Sequence, residues 1–301
     1  MTLQQLKYLV TVAEIGNITE SAEHLYISQP SLTAAIHAIE KELQVTVFAR
    51  SNKGVCVTRE GEEVLAYARQ VLEQAQLMEE KFCGENARNP RFSVSCQHYS
   101  FAVNAFADVV RKYESARYDF TLRETQTYEI IEDVSLGKSE IGVIYLSDKN
   151  EEVLSKVLKK HELVFEELFV ASPHVFISKK HPLAKNESVT LEELEPYPYL
   201  SFEQGEHNSF YYAEEILSTF DRSKNIKVRD RATLFNLVIG LNGYTVSSGV
   251  LDTKFNGLNI IAKPLVVDET MHIGIIRSKN RVLSRYGETY VEAIRKYTSI
   301  V

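Results

Sequence analysis

Residues Asn17–Val57 read NITESAEHLYISQPSLTAAIHAIEKELQVTVFARSNKGVCV, and the reading of this stretch decides the fold. Asn17 is a good N-cap residue with Glu20 three positions later, so a short helix is expected from about Ile18 to Leu25. Tyr26 and Ile27 then make a turn. Ser28 caps a second helix, with Pro30 in its first turn, where a missing N–H costs nothing. Leu32, Ile36, Ile39 and Leu43 recur at helical spacing and predict one buried stripe. The opposite face carries Gln29, Ser31, Thr33, Ala34 and His37, all small or polar. Such a helix can present its N-terminal turn to base edges in a major groove. Val45–Phe48 and Val55–Val57 predict two short strands around the basic tip Arg50–Gly54, a hairpin-like wing.

The whole chain sets the bounds. At 301 residues it is long enough for more than one domain, and 44% hydrophobic with 25% charged residues is ordinary for a globular protein. No run of apolar residues is long enough for a membrane span, and MTLQQLKYLVTVAEIG reads as an amphipathic helix without the basic start of a signal peptide. Cys56, Cys83 and Cys96 are widely spaced, which suits a reducing cytoplasm and offers neither a disulfide framework nor a C-x-x-C metal site. The net charge of −7 is awkward for a DNA-binding protein. Favourable charge is local, at Arg50, Lys53 and Arg59, so phosphate contacts should be few per subunit and two subunits are needed for useful affinity.

The string SQPSLTAAIHAIEKEL, then VFAR, a basic wing and VTREGE, resembles the N-terminal domain of LysR-type transcriptional regulators. The positions that carry the likeness are Ser28, Gln29, Pro30, Ser31, Leu32, Thr33, Ile36, Ile39, Glu40 and Leu43, followed by Val47, Phe48, Arg50, Val57, Thr58 and Gly61. Gln44 stands where the family usually has glycine, Asn17 replaces a usual serine and Ser21 an alanine. The resemblance implies a winged helix-turn-helix that reads an inverted-repeat promoter site as part of a dimer or a dimer of dimers, with RNA polymerase as a further partner. Gln29, Ser31, Thr33 and His37 would read base edges, and Ser28, Arg50 and Lys53 would hold phosphates, with Pro30 starting the helix.

After the wing, Thr58 can cap a long helix over Arg59–Phe82, in which Val64, Ala68, Val71, Ala75, Met78 and Phe82 alternate in spacings of four and three. That is a coiled-coil seam, and it predicts pairing with a second chain. Gly84–Pro90 reads as a hinge. Beyond it, strands Phe92–Cys96, Phe120–Arg123 and Ile141–Leu146 alternate with helices Phe101–Tyr113 and Tyr128–Leu136, which argues for an open, mostly parallel α/β sheet. A crossing near Leu163–Val170 leads to a second unit with strands His174–Ser178, Tyr199–Phe202, Ile226–Arg229 and Tyr244–Ser247, and helices near Phe210–Phe220 and Ala232–Leu241. A second crossing near Leu258–Val266 returns the chain to strand Met271–Arg277 and helix Val282–Lys296. The expected domains are residues 1–58 (winged helix), 59–87 (linker helix and hinge) and 88–301 (two α/β lobes: about 88–163 with 266–301, and 164–265). This is the layout of LysR-type effector domains, which look like periplasmic binding proteins.

Two such lobes form a cleft at strand C-termini, where backbone N–H groups and hydroxyls suit anions. Candidates are the loop Ser95–Ser100, the strand end Ser201–Gln204 and the strand end Thr245–Gly249. The family resemblance places effector contacts at Ser95, Gln97, His98, Ser201 and Ser247. Ser100 belongs to the same first loop, and Tyr145 and Phe202 add an apolar wall. The donor-rich composition favours a small carboxylate or other anion. An enzyme is the rival class, but G-x-S-x-G, glycine-rich phosphate loops and H-E-x-x-H are all missing, and Phe165 stands where the second histidine after His161-Glu162 would be. No catalytic residue, cofactor or metal is expected. A solute receptor would share the lobes but would need an export signal and no DNA-binding segment.

Overall fold

The structure, a computed structural model, describes residues 1–51, 54–83, 90–114, 117–207, 209–251 and 259–298. Two compact units emerge: residues 1–89 with 136–138, and residues 90–135 with 139–301.

The first unit begins with α1 (Leu3–Ile15), started by a reciprocal Thr2/Gln5 capping box and ended by Gly16 at φ 73°, a left-handed conformation that glycine takes without strain. Asn17 caps α2 (Ile18–His24) by accepting the Thr19 and Glu20 amides. Ser28 caps α3 (Gln29–Leu43) by accepting the Ser31 amide, and Gln44 closes the helix at φ 56°. Gln44 thus adopts a left-handed conformation that glycine would take without strain. Leu32, Ile36 and Ile39 are buried as expected, joining Leu6, Leu9, Val12, Val47, Leu65 and Ala68 in one core. Leu43, placed by spacing on the same stripe, is exposed because it falls in the last turn of the helix. The wing strands are β1 (Phe48–Ser51) and β2 (Gly54–Val57), antiparallel with Phe48 opposite Val57. Val45–Val47, expected as part of β1, instead lie before it, outside regular structure.

Helix α4 (Arg59–Cys83) starts where the Thr58 hydroxyl accepts the Gly61 amide and donates to the Thr46 carbonyl. A side chain at Gly61 would collide with the Val47 carbonyl, so the helix can pass this close only with glycine. The expected seam is rotated. Ala68 is 2% exposed and Val64 packs on the unit's own core, whereas Tyr67, Val71 and Met78 face outward.

The second unit holds two five-stranded sheets, ordered β4-β3-β5-β12-β6 and β11-β7-β10-β8-β9. In chain order the elements are β3 (Arg91–Cys96), α5 (Ser100–Lys112), β4 (Asp119–Glu124), α6 (Thr127–Ser135), β5 (Ile141–Leu146), α7 (Glu151–Lys160), β6 (Leu163–Ala171), β7 (His174–Ser178), α8 (Leu191–Leu194), β8 (Tyr199–Phe202), β9 (Asn225–Val228), α9 (Arg231–Leu241), β10 (Tyr244–Ser247), β11 (Ile260–Pro264), β12 (Met271–Ser278) and α10 (Arg285–Thr298). Each sheet is mixed rather than mostly parallel: β3, β4 and β5 run parallel, as do β8, β9 and β10, and antiparallel strands complete both.

Both expected crossings are themselves strands. Residues 163–171 form β6 against β12 in the first sheet, and 260–264 form β11 against β7 in the second. The first lobe therefore extends through Ala171, not 163. Helix α7 was not read from the sequence. The helix expected near Phe210–Phe220 is only a 3-10 turn at Phe210–Tyr212, followed by irregular chain with Leu217 at φ 63°. One apolar cluster runs through both lobes, with Phe92, Val94, Tyr145 and Ile273 from the first and Val175, Ile177, Tyr199 and Val246 from the second.

Candidate nucleic-acid interface and ligand cleft

Because Leu32, Ile36 and Ile39 lock one face of α3 into the core, the opposite face is fixed in orientation as well as exposed. Ser28, Gln29, Pro30, Ser31 and His37 are exposed along it, and Thr33 is half-buried. The Ser28 and Ser31 hydroxyls bond each other at 2.7 Å. Thr33 and His37 line a small hollow with Ile18, Glu40, Phe48 and Val55, where α3 meets the wing. Glu40 joins the two elements. Its Oε1 accepts the Val47 and Phe48 amides at 2.8 and 3.1 Å, and its Oε2 lies 3.2 Å from His37 Nδ1. Arg50 is on β1 opposite Val55. Lys53 and the hinge residues 84–89 lie outside the described residues.

In the second unit the eight expected contact residues separate into two groups. His98, Phe202 and Ser247 come together around a hollow of about 30 Å³ between the lobes, which they line with Tyr99, Glu214, Glu215, Arg231 and Thr245 among others. The His98 ring stacks on Phe202 with centroids 3.8 Å apart and 8° between planes. The other five are not around it. Ser95, within β3, is fully buried, bonding Asp133 and Ser139 at 2.8 Å each. Gln97 is fully buried too, donating to Thr127 Oγ1 at 2.6 Å and accepting the Tyr145 amide at 3.1 Å. Tyr145 belongs to the apolar core, Ser100 donates to the Val250 carbonyl at 3.5 Å, and Ser201 lines neither this hollow nor the next. Ser95 in β3, Gln97 just after it and Tyr145 in β5 are held inside the lobes rather than around this hollow.

Charged residues that the sequence reading passed over complete the site. Arg231, the first residue of α9 after the Asp230 cap, pairs with Glu124 at the end of β4 at 3.2 Å, lobe to lobe. Its Nη1 is buried and, among the described residues, has no hydrogen-bond partner; nor has the Tyr99 hydroxyl. Glu214 accepts both the backbone amide and the ring Nδ1 of His98, at 3.0 and 2.8 Å. Gln204 spans the lobes beside it, accepting the Thr127 amide at 3.1 Å and donating to Glu214 at 3.3 Å. Glu215 accepts the Phe202 amide at 2.8 Å. Applying the strand-end rule to Val228-Arg229-Asp230-Arg231 would have found Arg231. Nothing in the sequence marks Glu214, which sits in the segment mistaken for a helix.

Burial sets the proton affinities. It pushes the His98 imidazole down, but the adjacent Glu214 carboxylate more than offsets this, aided by Glu124 and opposed by Arg231, and the ring ends above the usual histidine value. Burial raises the Glu124 carboxyl, despite the Arg231 and His98 charges. Burial, then the neighbouring Glu214 carboxylate, raises Glu215 well above the carboxylate range.

A second, larger hollow of about 520 Å³ lies alongside and shares His98 with the first, lined also by Glu124, Glu129, Glu132, Glu203 and Glu206 with Tyr128, His207 and Arg229. Its lining is predominantly acidic. Among the described residues no group of three or more His, Cys, Asp or Glu side chains is placed to hold a metal ion. No described helix is long and apolar enough to cross a membrane.

Comparison with known proteins bears on both units. Residues 3–62 match the bacterial regulatory helix-turn-helix protein, lysR family, and residues 89–299 match the LysR substrate binding domain. Among curated proteins, the HTH-type transcriptional regulator YnfL of Escherichia coli K12, itself uncharacterized, is 29% identical over 225 residues, 73% of this chain and 71% of that one. Among solved structures, full-length OxyR from Pseudomonas aeruginosa with a cysteine-to-aspartate substitution superposes with a TM-score of 0.68 at 21% identity, covering 98% of this chain and 95% of that one. Full-length CbnR in complex with its target DNA gives a TM-score of 0.59 at 18% identity, covering 99% and 100%. At these identities the two structures show a shared fold.

Proposed function

Since the chain belongs to the LysR family of bacterial regulators, and is therefore a DNA-binding transcriptional regulator with an effector-binding domain, we propose that it is a cytoplasmic, non-enzymatic regulator in which α3 reads an inverted-repeat promoter site under control of a small anion bound between the two lobes.

The observation that carries the DNA reading is the exposed N-terminal turn of α3, held in a set orientation by the buried Leu32, Ile36 and Ile39. Gln29 and Ser31 are the base-reading residues, His37 and Thr33 extend the face towards the wing, and Ser28 and Arg50 hold phosphates together with Lys53. Two copies, paired along the outward Tyr67, Val71 and Met78 stripe of α4, supply two reading heads, as an inverted repeat requires. A dimer of dimers extends the same logic to a longer, bent site, and RNA polymerase is the further partner of such a complex.

The anion preference rests on Arg231 Nη1 and the Tyr99 hydroxyl, two buried donors without hydrogen-bond partners among the described residues, beside the Thr245 and Ser247 hydroxyls. The anion belongs to this smaller hollow, since the glutamate-lined one would repel it. Binding controls DNA only through different affinity for different arrangements of the subunits.

The test of the DNA reading is Gln29→Ala. A lost base contact should weaken specific binding by roughly 1–3 kcal/mol and leave non-specific binding unchanged. An unaltered ratio of specific to non-specific affinity removes Gln29 from the readout.

A further inference from the structure

The donors that His98 offers to the cleft are already taken by a carboxylate. Glu214 reaches across from the second lobe to the loop after β3, where one oxygen receives both the His98 backbone amide at 3.0 Å and the ring Nδ1 at 2.8 Å. Its other oxygen receives Gln204 Nε2 at 3.3 Å. The side chain is 4% exposed, as is the His98 side chain. Two convergent donors on one carboxylate oxygen, at the mouth of the helix that begins at Ser100, are what an anionic ligand would be offered here.

Residues 213–220 are irregular, although the segment has the apolar spacing of a helix, and Leu217 stands at φ 63°. The hollow left beside the pair holds about 30 Å³, space for one or two water molecules and not for a metabolite.

We infer that His98 forms the floor of a carboxylate seat and that Glu214 of the same chain is its resident occupant, an internal ligand that an external carboxylate must displace to bind the His98 donors. This deepens, and rests on, the reading of the cleft as an anion site. Entry of a carboxylate metabolite is then an exchange of one carboxylate for another on His98. The released Glu214 arm frees the second lobe from the first at this point, while Arg231 and Tyr99 offer the incoming group donors that Glu214 does not use.

The experiment is chemical rescue in the full chain, with acetate and formate as the probes. Glu214→Ala vacates the seat, so its melting temperature should rise saturably with acetate above a sodium chloride control of equal ionic strength. The wild type should show no such rise. Adding His98→Phe, which keeps a ring on Phe202 but removes the Nδ1 donor, should weaken the response of Glu214→Ala. If Glu214→Ala fails to fold unaided, its refolding yield with and without acetate reads the same property. Equal acetate responses in Glu214→Ala and wild type, or no response in the variant by either readout, overturn the proposal. A saturable response already present in wild type means the seat is open: the cleft then stays an anion site, and Glu214 is not its occupant.

Discussion

Glu40 is the residue on which the orientation of the wing depends, and Glu40→Ala tests this directly. Its Oε1 accepts two backbone amides, from Val47 and Phe48, at 2.8 and 3.1 Å. The side chain is 14% exposed and Val47 is fully buried, so water replaces these bonds poorly. A hydrogen bond to a charged acceptor is worth about 1.5–3 kcal/mol. Two bonds sharing one oxygen are not additive, and Phe48 is half-buried, so the expected local loss is about 2–4 kcal/mol. At about 1.4 kcal/mol per tenfold, hydrogen exchange across residues 45–51 should accelerate roughly thirty- to a thousand-fold. Glu40→Gln keeps an acceptor but loses its charge, and neutral bonds are about half as strong, so its exchange should fall between the two. Specific DNA affinity should drop in the same order if the wing helps position the reading helix. Wild-type exchange rates at Val47 and Phe48 in Glu40→Ala would refute the argument, since those amides would then be held by something other than the carboxylate.

Two further predictions concern association and pH. Val71 and Met78 are 44% and 61% exposed on α4, so Val71→Lys with Met78→Lys should abolish pairing in sedimentation while leaving the melting temperature of the monomer unchanged. Ala68→Lys should instead cost roughly 3–5 kcal/mol of stability, because it forces an unpaired charge into the core; persistence of the dimer in the double lysine variant would place the interface elsewhere. The raised His98, Glu124 and Glu215 groups all bind protons more tightly in the native state than when unfolded. Stability therefore falls as pH rises: through the carboxylate range and above for the two glutamates, and for His98 from its ordinary value of about 6.5 up to its raised native one. His98→Gln should flatten the upper part of a melting temperature–pH curve, and an unchanged slope there would show that the His98–Glu214 pair is not proton-linked to folding.

The parts of the fold that could be read from sequence are those where local chemistry and burial agree. Asn17, Ser28 and Thr58 each hold a helix start because a short polar side chain can reach an orphan amide nearby, a purely local matter. The strand Ile141–Leu146 announces itself as an apolar run, and Tyr244–Ser247 as an alternation of apolar and hydroxyl residues. What was misread depends on distant partners. Residues 163–171 look like a connection because only pairing with β12, a hundred residues on, makes them a strand. Spacing placed Ala68 and Val71 on one seam, but α1 covers the Ala68 side of the helix and leaves Val71 outside. Around the smaller hollow, His98, Phe202 and Ser247 lie in segments that the strand-end rule had singled out, whereas Glu214 and Glu215 carry no sign in the sequence of their place there, since an acidic pair is normally solvated.

The Arg231–Glu124 pair joins the lobes at a site where an anion is proposed to bind, and its strength limits how readily the cleft can change. The two side chains are 18% and 25% exposed, intermediate between surface pairs, worth up to about 1 kcal/mol, and buried ones, whose breakage costs about 3–5 kcal/mol. With that discount for solvent, a double-mutant cycle of Arg231→Met and Glu124→Gln should give a coupling of about 1–2 kcal/mol. The single Arg231→Met variant carries a second signature. Burial already lifts the Glu124 carboxyl, and Arg231 is the main charge opposing that lift. Without the guanidinium the carboxyl rises further and takes up a proton, which caps the loss. The cost of Arg231→Met should thus be smaller at pH 5 than at pH 8, while Glu124→Gln, having no proton to gain, should show no such relief. Additivity within about 0.5 kcal/mol, with a pH-independent cost for Arg231→Met, would mean that the guanidinium serves the hollow alone and that the lobes are held together by His98, Gln204 and Glu214.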